Sequence, residues 1–229
     1  MTPPNGELEL TDDVAGAFAG WVRRAFASRP RPRFVLACSG GPTARACYER
    51  LAADTVPGAG GVDWPLVDVV MGDERCVPPD DADANQRLVR EALLERVGPF
   101  GSFRPMSCAE GPEVYERVIA ALPGLDVVHL GLGADAHTAS LFPGSEALDE
   151  NVRLVVTSND PQDRNPHDRM TVTLPAIARA DLVLFTVRGK EKAEAIRAVC
   201  TGADVPATRV RARRVRFLVD RPSLGDACA

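Results

Sequence analysis

The chain has 229 residues and a formal net charge of −5 at pH 7, a length that suits one large domain or a domain with a small appendage. Hydrophobic residues make up 45% and charged residues 26%, values that are ordinary for globular proteins and exclude disordered, collagen-like and low-complexity chains. No apolar run reaches the roughly 18 residues needed to cross a bilayer. The acidic balance argues against a nucleic-acid binder, which normally presents a basic face.

The first residues, MTPPNGELELTDD, are polar and acidic, so we expect no signal peptide and a cytoplasmic protein. Six cysteines lie at positions 38, 47, 76, 108, 200 and 228. None forms a C-x-x-C pair, which argues against a zinc ribbon or a thioredoxin-type site. We therefore expect all six to be reduced thiols, most of them acting as small buried hydrophobic residues.

Apolar strands alternate with amphipathic helices along the chain. The first predicted element is a helix capped by Thr11, with Val14, Phe18, Trp21, Val22 and Ala25 on its apolar face. A strand at Phe34–Cys38, a helix to about Ala53 and a strand at Val67–Met71 follow, and then a helix through Leu88, Leu93, Leu94 and Val97 and a helix at 113–122. The second half of the chain contains strands at 126–130, 152–157, 170–174 and 182–187, a helix from Gly189 to about Cys200, and a strand at Val215–Val219.

This alternation, with nearly continuous apolar strands, predicts an α/β fold around a mostly parallel twisted sheet. Ligands of such sheets bind at the carboxyl ends of the strands. Polar clusters follow four of the predicted strands, at 39–41, 73–75, 133–137 and 189–192. Their convergence predicts one composite active site.

The segment Ser39-Gly40-Gly41-Pro42-Thr43 joins a strand to a helix. Glycines let the backbone approach an anion closely, and a helix N-terminus supplies free N–H groups, so a phosphate site is one interpretation. A tight turn with an N-capping hydroxyl is the other, and the residues alone leave both open. The P-loop pattern is absent.

A second glycine-rich segment, Gly131-Leu132-Gly133-Ala134-Asp135-Ala136, superficially matches a dinucleotide fingerprint. Pro143 and Gly144 interrupt the long helix that this fingerprint requires. No acidic residue stands at the end of the next predicted strand near the expected spacing of about 20 residues, so we reject the dinucleotide interpretation.

Asp135 and His137 lie two residues apart, just past a predicted strand. A histidine with a carboxylate partner is the usual general base at neutral pH. Of the other histidines, His129 lies within an apolar strand and is expected in the core, and His167 is expected on a surface loop. Ser140 lacks a G-x-S-x-G elbow, which argues against a serine nucleophile. No ligand spacing typical of a metal site appears.

Only two of the 27 basic residues are lysines, Lys190 and Lys192. Because arginine serves almost everywhere else, a retained lysine suggests a position that needs a compact, flexible ammonium group. Chance is the alternative explanation.

Five segments together resemble motifs of the 6-phosphogluconolactonase family, in the family's order and over nearly the whole chain. They are SGGPT at 39–43, GDERCVP at 72–78 with Asn85 following, GLGADAHTASLFPG at 131–144, RMTVT at 169–173 and GKEKA at 189–193. The resemblance implies a single domain over residues 1–229 with a three-layer, Rossmann-like α/β fold, in which helices cover both faces of the sheet.

The resemblance also implies an activity, the hydrolysis of 6-phospho-D-glucono-1,5-lactone to 6-phosphogluconate in the pentose phosphate pathway, without a metal or organic cofactor. His137 would be the general base that activates water, and Asp135 would orient it. The residues expected to hold the phosphate are Ser39, Gly40, Gly41, Thr43, Arg169 and Lys192, with Asp73 and Arg75 lining the sugar and phosphate end. The expected partner is the phosphosugar lactone, with no nucleic acid or membrane, for a monomer or weak homo-oligomer.

Three positions depart from the family pattern. Ala44 replaces a proline, Ala84 replaces a serine, and Ala136 replaces a glycine; if that glycine has a positive φ, alanine costs on the order of 1 kcal/mol. Two alternatives stay open: a glucosamine-6-phosphate deaminase of the same fold group, whose catalytic glutamate has no counterpart after His137, and a sugar-phosphate sensor without catalysis.

Overall fold

The computed structural model describes residues 3–54 and 61–225. Within them, seven strands form one sheet, in the order β1-β10-β9-β6-β2-β3-β5, with every neighbouring pair parallel. These strands are β1 (Glu7–Leu10), β2 (Phe34–Cys38), β3 (Val67–Met71), β5 (Ser102–Arg104), β6 (Leu125–Gly131), β9 (Ala180–Val187) and β10 (Val215–Val219). The predicted α/β fold around a parallel sheet is confirmed.

A smaller antiparallel sheet lies beside the large one, in the order β4-β8-β7. Its strands are β4 (Asp73–Arg75), β7 (Val155–Ser158) and β8 (Arg169–Val172). β4 starts two residues after β3 ends, so the chain passes directly from the large sheet into the small one. The two strands predicted at 152–157 and 170–174 therefore belong to this second sheet.

The helices are α1 (Val14–Ala27), α2 (Pro42–Ala53), α3 (Asn85–Val89) continuing as a π-helical turn (Arg90–Leu94), α4 (Pro112–Ala121), α5 (Glu146–Asp149), α6 (Leu174–Ile177), α7 (Ala193–Cys200), α8 (Pro206–Arg209) and α9 (Arg221–Leu224), with 3₁₀ turns at Trp64–Leu66 and Lys190–Lys192. No helix among residues 3–54 and 61–225 has the length and hydropathy to cross a membrane.

The central strands are buried along their whole length. All five residues of β2 and the first six of β6 are buried, which requires cover on both faces because successive side chains point to opposite sides. This is why the sequence shows continuous apolar runs there rather than alternation.

The start of α1 differs from the prediction. Its N-cap is Asp13, whose carboxylate accepts from the Gly16 N–H. The predicted cap, Thr11, lies two residues before it, and its hydroxyl accepts from the Asp13 N–H. Trp21 is only partly buried. The guanidinium groups of Arg24 and Arg216 lie 4.2 and 4.1 Å from its ring centroid, and its indole N–H donates to the Glu9 carboxylate.

The short strands β1, β4 and β5 were not predicted. β1 lies at the sheet edge, where it pairs along its length with β10, and its residues are all partly or fully exposed. Its four residues ELEL alternate for too short a stretch to predict a strand, and Leu8 packs against the edge of the core while the backbone pairs with β10.

The expectation that all six cysteines are reduced is wrong. Cys76 and Cys108 form a disulfide, with Cα atoms 5.4 Å apart, and Cys200 is not a free thiol either. Cys38 and Cys47 are free and buried, as expected, and burial raises the pKa of each thiol to about 12. Cys228 lies outside the described residues. The fold brings Cys76, after β4, against Cys108, after β5, and their separation of 32 residues gives no local signal of this contact.

Candidate active site

A cavity of about 340 Å³ opens where the carboxyl ends of β2, β6 and β9 meet the small sheet. Nine of the ten site residues proposed from the sequence line it: Ser39, Gly40, Gly41, Thr43, Asp73, Arg75, His137, Arg169 and Lys192. The tenth, Asp135, lies behind His137 and hydrogen-bonds to its ring. The expected convergence of the strand-end clusters on one site is thus what the fold produces.

The loop after β2 forms one wall of the cavity. Gly41 is the N-cap of α2 and has a φ of +98°, a conformation that favours glycine. The first N–H groups of a helix have no partner within it, so the twelve-residue α2 presents donors and a positive dipole end to this wall. The Ser39 hydroxyl, in contrast, is directed inward and donates to the His129 carbonyl at 2.7 Å.

Gly40 is a glycine for steric reasons. A Cβ atom at this position would lie 1.7 Å from the Asn85 Oδ1 atom. Asn85 is buried, its amide donates to the Asp73 carbonyl at 3.1 Å, and its backbone N–H donates to the Glu74 carboxylate at 2.7 Å. The loop after β2 and the start of α3 therefore fit together only because position 40 has no side chain.

Two arginines lie side by side on adjacent strands of the small sheet. Arg75 and Arg169 are directly opposite in the antiparallel register of β4 and β8, a placement that is unfavourable for like charges. The Nε atoms of both are buried without a hydrogen-bond partner among the described residues. Burial, reinforced by the Arg75 charge, lowers the pKa of Arg169. Unpartnered buried donors on two adjacent cations make this end of the cavity a site for an anion.

Asp73 lies next to these arginines and is 5% exposed. One of its carboxylate oxygens accepts from the Ser140 hydroxyl at 2.8 Å. Ser140 is itself fully buried, and its carbonyl accepts from the Ser158 hydroxyl at 2.6 Å. Ser140 thus orients Asp73, and its burial agrees with the argument against a serine nucleophile.

His137 and Asp135 form a hydrogen-bonded pair at the edge of the cavity. The His137 Nδ1 atom lies 2.5 Å from the Asp135 Oδ1 atom, and the His137 side chain is 22% exposed. Burial by itself raises the pKa of Asp135, but the hydrogen bond and charge of His137 outweigh it and lower the pKa to about 2. Asp135 is therefore ionised at neutral pH and fixes Nδ1 as the protonated nitrogen, which leaves Nε2 as the basic one.

The loop between β6 and α5 closes on itself and so fixes this pair. The Gly133 N–H donates to the His137 carbonyl at 2.8 Å, and the Thr138 hydroxyl donates to the Gly131 carbonyl at 3.0 Å. Residues 132–145 form turns instead of a long helix, consistent with rejecting a dinucleotide fingerprint. Ala136 has a φ of +64°, so the positive φ suspected from the sequence is present, yet the Asp135–His137 hydrogen bond still forms.

Sequence reasoning did not propose four further residues at the site. Asn85 and Arg188 line the cavity, as does Thr186, the next-to-last residue of β9. Arg164 donates to the second carboxylate oxygen of Asp135 at 3.0 Å. Asn85 stands within a quoted motif and could have been found from it. Arg164 lies in a long loop without a local pattern, and only the fold brings it to Asp135.

The predicted positions of the other two histidines are confirmed. His129 is fully buried with both ring nitrogens hydrogen-bonded, and His167 lies on an exposed loop beside Asp83. Lys192 lines the cavity, whereas Lys190 is exposed and lies outside it. Within the described part of the chain, no group of three or more His, Cys, Asp or Glu residues gathers as metal ligands would.

Comparison with known proteins agrees with this geometry. A family model described as glucosamine-6-phosphate isomerases/6-phosphogluconolactonase matches residues 6–219. A 6-phosphogluconolactonase of Nostoc sp. is 39% identical over 184 residues, covering 74% of this chain and 72% of that protein. One of Mycobacterium tuberculosis is 36% identical over 223 residues, covering 88% and 87%.

Solved structures lead to the same group. The crystal structure of 6-phosphogluconolactonase from Thermotoga maritima matches with a TM-score of 0.81 at 27% identity, covering 93% of this chain and 99% of that one. The 6-phosphogluconolactonase structure from Trypanosoma brucei matches with a TM-score of 0.80 at 27% identity, covering 97% and 98%. The chain belongs to the glucosamine-6-phosphate isomerase/6-phosphogluconolactonase family.

Proposed function

We propose that this protein hydrolyses 6-phospho-D-glucono-1,5-lactone to 6-phospho-D-gluconate, the second step of the oxidative pentose phosphate pathway, with His137 as the general base. One observation carries the proposal: a hydrogen-bonded Asp135–His137 pair borders the same cavity as two arginines with unpartnered buried donors. An anion-binding end and a general base in one cavity suit a phosphorylated substrate that is attacked by water.

The phosphate group binds at the cationic end of the cavity. Arg75 and Arg169 supply guanidinium donors, and Lys192 supplies a mobile ammonium from the turn after β9. The loop 39–43 contributes Thr43 and the N-terminal amides of α2. These contacts are remote from the lactone carbonyl, so they hold the substrate in register and contribute mainly to binding.

Hydrolysis then proceeds by direct attack of water. The His137 Nε2 atom takes a proton as the water oxygen bonds to the lactone carbonyl carbon, and the carbonyl becomes a tetrahedral oxyanion. Collapse of this intermediate breaks the bond from that carbon to the ring oxygen, which receives the proton back from Nε2. Asp135 stays ionised throughout and stabilises the imidazolium that forms.

The reaction needs no covalent nucleophile because a lactone is an activated ester. It needs no metal or organic cofactor for the same reason. The proposed enzyme is cytoplasmic, because its substrate is small and water-soluble. It acts as a single domain and as a monomer or weak homo-oligomer.

Lactone hydrolysis coupled to 6-phosphogluconate dehydrogenase tests the proposal, with the lactone generated in situ and spontaneous hydrolysis subtracted. His137→Ala should lower kcat by about 10²–10⁴-fold, the usual contribution of a general base. A mutant within threefold of wild type would contradict the role of His137. A wild-type rate equal to the background would overturn the activity, and ammonia release from glucosamine 6-phosphate would then identify a deaminase.

The phosphate end has a matched control within one turn. Lys192→Ala should raise KM by roughly tenfold, the effect of losing a charged contact worth about 1.5 kcal/mol. Lys190→Ala removes the same charge from an exposed residue outside the cavity and should leave KM within twofold. A change confined to kcat in Lys192→Ala, or equal changes in both variants, would contradict the assignment of Lys192.

A further inference from the structure

Beneath the cavity, buried polar side chains form a hydrogen-bonded network from Tyr48 of α2 through His129 of β6 to Thr186 of β9. The Tyr48 hydroxyl lies 2.8 Å from the His129 Nδ1 atom, and the His129 Nε2 atom lies 2.8 Å from the Thr186 hydroxyl. All three residues are 3% exposed or less. Thr186 lines the cavity, so one end of the network reaches the site directly.

The other end reaches the site through Ser39, the first residue of the loop after β2. The Ser39 N–H donates to the Tyr48 hydroxyl oxygen at 2.8 Å, and the Tyr48 O–H lies 3.0 Å from the Ser39 carbonyl oxygen. The Ser39 hydroxyl donates to the His129 carbonyl at 2.7 Å. The N–H, the carbonyl and the hydroxyl of Ser39 are therefore all hydrogen-bonded to Tyr48 or His129.

The number of available protons determines which group donates in each hydrogen bond of the network. Tyr48 has a single hydroxyl proton, and the buried Ser39 carbonyl has it as its donor; losing that donor would leave a buried acceptor unpaired, at a cost of about 1–3 kcal/mol. With that proton committed, His129 must donate from Nδ1 to Tyr48 and accept at Nε2. Thr186 then donates to Nε2, so its hydroxyl proton points to His129 and away from the substrate.

His129 keeps this arrangement at neutral pH, where its imidazole is uncharged. Complete burial lowers the pKa of its imidazole to about 3. The Phe18 ring packs against the imidazole with centroids 4.3 Å apart, and the Tyr48 ring meets it edge-on at 5.3 Å. His129 is 0% exposed and does not line the cavity, so its ring reaches no substrate. Its role is therefore to hold neighbours in place.

We propose that Tyr48, His129 and Thr186 form a positioning network that fixes the substrate loop 39–41 relative to the end of β9. The loop wall and the β9 wall of the cavity belong to different strands, with β6 between them. The network connects the two walls beneath the cavity, so that the groups expected to bind the substrate already have their binding positions in the free protein. The inference rests on the proposed function for its substrate.

Tyr48→Phe is the most direct test because it removes one hydroxyl and keeps the ring. Loss of the loop's anchoring should raise KM for the lactone by about 5–10-fold, the effect of one buried hydrogen bond of roughly 1–1.5 kcal/mol, with kcat within threefold of wild type. The Kd of 6-phosphogluconate, measured by calorimetry, should rise by the same factor. Thr186→Val should act in the same direction, and Thr186→Ser, which keeps the hydroxyl, should restore wild-type values.

Tyr115→Phe is a matched control for stability. Its buried hydroxyl also accepts from a backbone N–H, that of Met71 at 2.6 Å, and lies within hydrogen-bond distance of the backbone carbonyls of Arg104 and Met71, at 3.0 and 3.2 Å. None of these three residues lines the cavity. The substitution should lower the melting temperature as Tyr48→Phe does and leave KM and Kd unchanged. Thermal unfolding of each variant separates loss of stability from loss of binding.

The outcomes separate the two proposals. A wild-type protein that binds 6-phosphogluconate but does not accelerate lactone hydrolysis refutes the proposed function, and the effect of Tyr48→Phe on Kd still decides the positioning network. Unchanged KM and Kd in Tyr48→Phe, or an equal rise in Tyr115→Phe, overturns the network while leaving the proposed function standing. Absence of binding by the wild type overturns both.

Discussion

Gly40→Ala is the substitution whose effect the structure defines most sharply. The new methyl carbon would lie 1.7 Å from the Asn85 Oδ1 atom, 2.4 Å from its Cγ atom and 3.1 Å from its Nδ2 atom. Asn85 is 2% exposed and is held by two hydrogen bonds, from its amide to the Asp73 carbonyl and from its backbone N–H to the Glu74 carboxylate. It cannot rotate away without breaking the first of these.

The expected cost has two parts. Displacing the Asn85 amide from the Asp73 carbonyl forfeits a buried hydrogen bond, worth about 1 kcal/mol. Forcing an extra carbon into a packed region costs about 1–3 kcal/mol. The free energy of unfolding should therefore fall by about 2–4 kcal/mol, which for a chain of this size corresponds to roughly 4–16 °C in melting temperature.

Thermal and urea unfolding measure this loss, and Gly131→Ala serves as the steric control. A Cβ at Gly131 meets no atom within 4 Å, and its backbone does not have a positive φ, so its melting temperature should stay within about 2 °C of wild type. Lactone turnover of Gly40→Ala should fall as well, because the loop after β2 and Asn85 both line the cavity.

The clash predicts a specific double-mutant result. In an Asn85→Ala background the obstructing amide is gone, so Gly40→Ala should cost less than 1 kcal/mol there. A coupling of 1 kcal/mol or more between the two substitutions supports the argument. If Gly40→Ala destabilises both backgrounds equally, contact with Asn85 is not the reason for glycine at this position, and the reasoning fails.

Two further predictions concern stability. Replacing Cys76 and Cys108 by serine opens a crosslink between residues 32 apart, and chain-entropy arguments give a loss of about 3–4 kcal/mol in the free energy of unfolding; a loss below 1 kcal/mol in urea unfolding would contradict it. The pKa of Asp135 is about 2 in the folded protein against an ordinary 3.8. Its ionised form therefore stabilises the fold above about pH 4, by on the order of 1–2 kcal/mol in the free energy of unfolding. This stabilisation disappears as the pH falls towards 2. Asp135→Asn should therefore lower stability at pH 7 and weaken the loss of stability between pH 4 and 2, and identical pH profiles for the two proteins would refute this.

Local sequence determined five of the seven strands of the large sheet and most of the site. Strands such as β2 and β6 are continuously apolar because both of their faces are covered, and burial of this kind is visible in any short window of sequence. The carboxyl ends of parallel strands meet at one edge, so polar residues that follow several strands could be assigned to one cavity without knowing the strand order. Asp135 and His137, two residues apart, were found in the same way.

Only the tertiary structure decided what depends on segments distant in the chain. The pairing of β4 with β8 places Arg75 opposite Arg169, and neither strand's sequence encodes its partner. The contact between Gly40 and Asn85 and the Cys76–Cys108 disulfide arise in the same way. Periodicity records how each residue faces solvent, whereas these contacts depend on how the chain returns on itself, so they become visible only once the whole sheet is assembled.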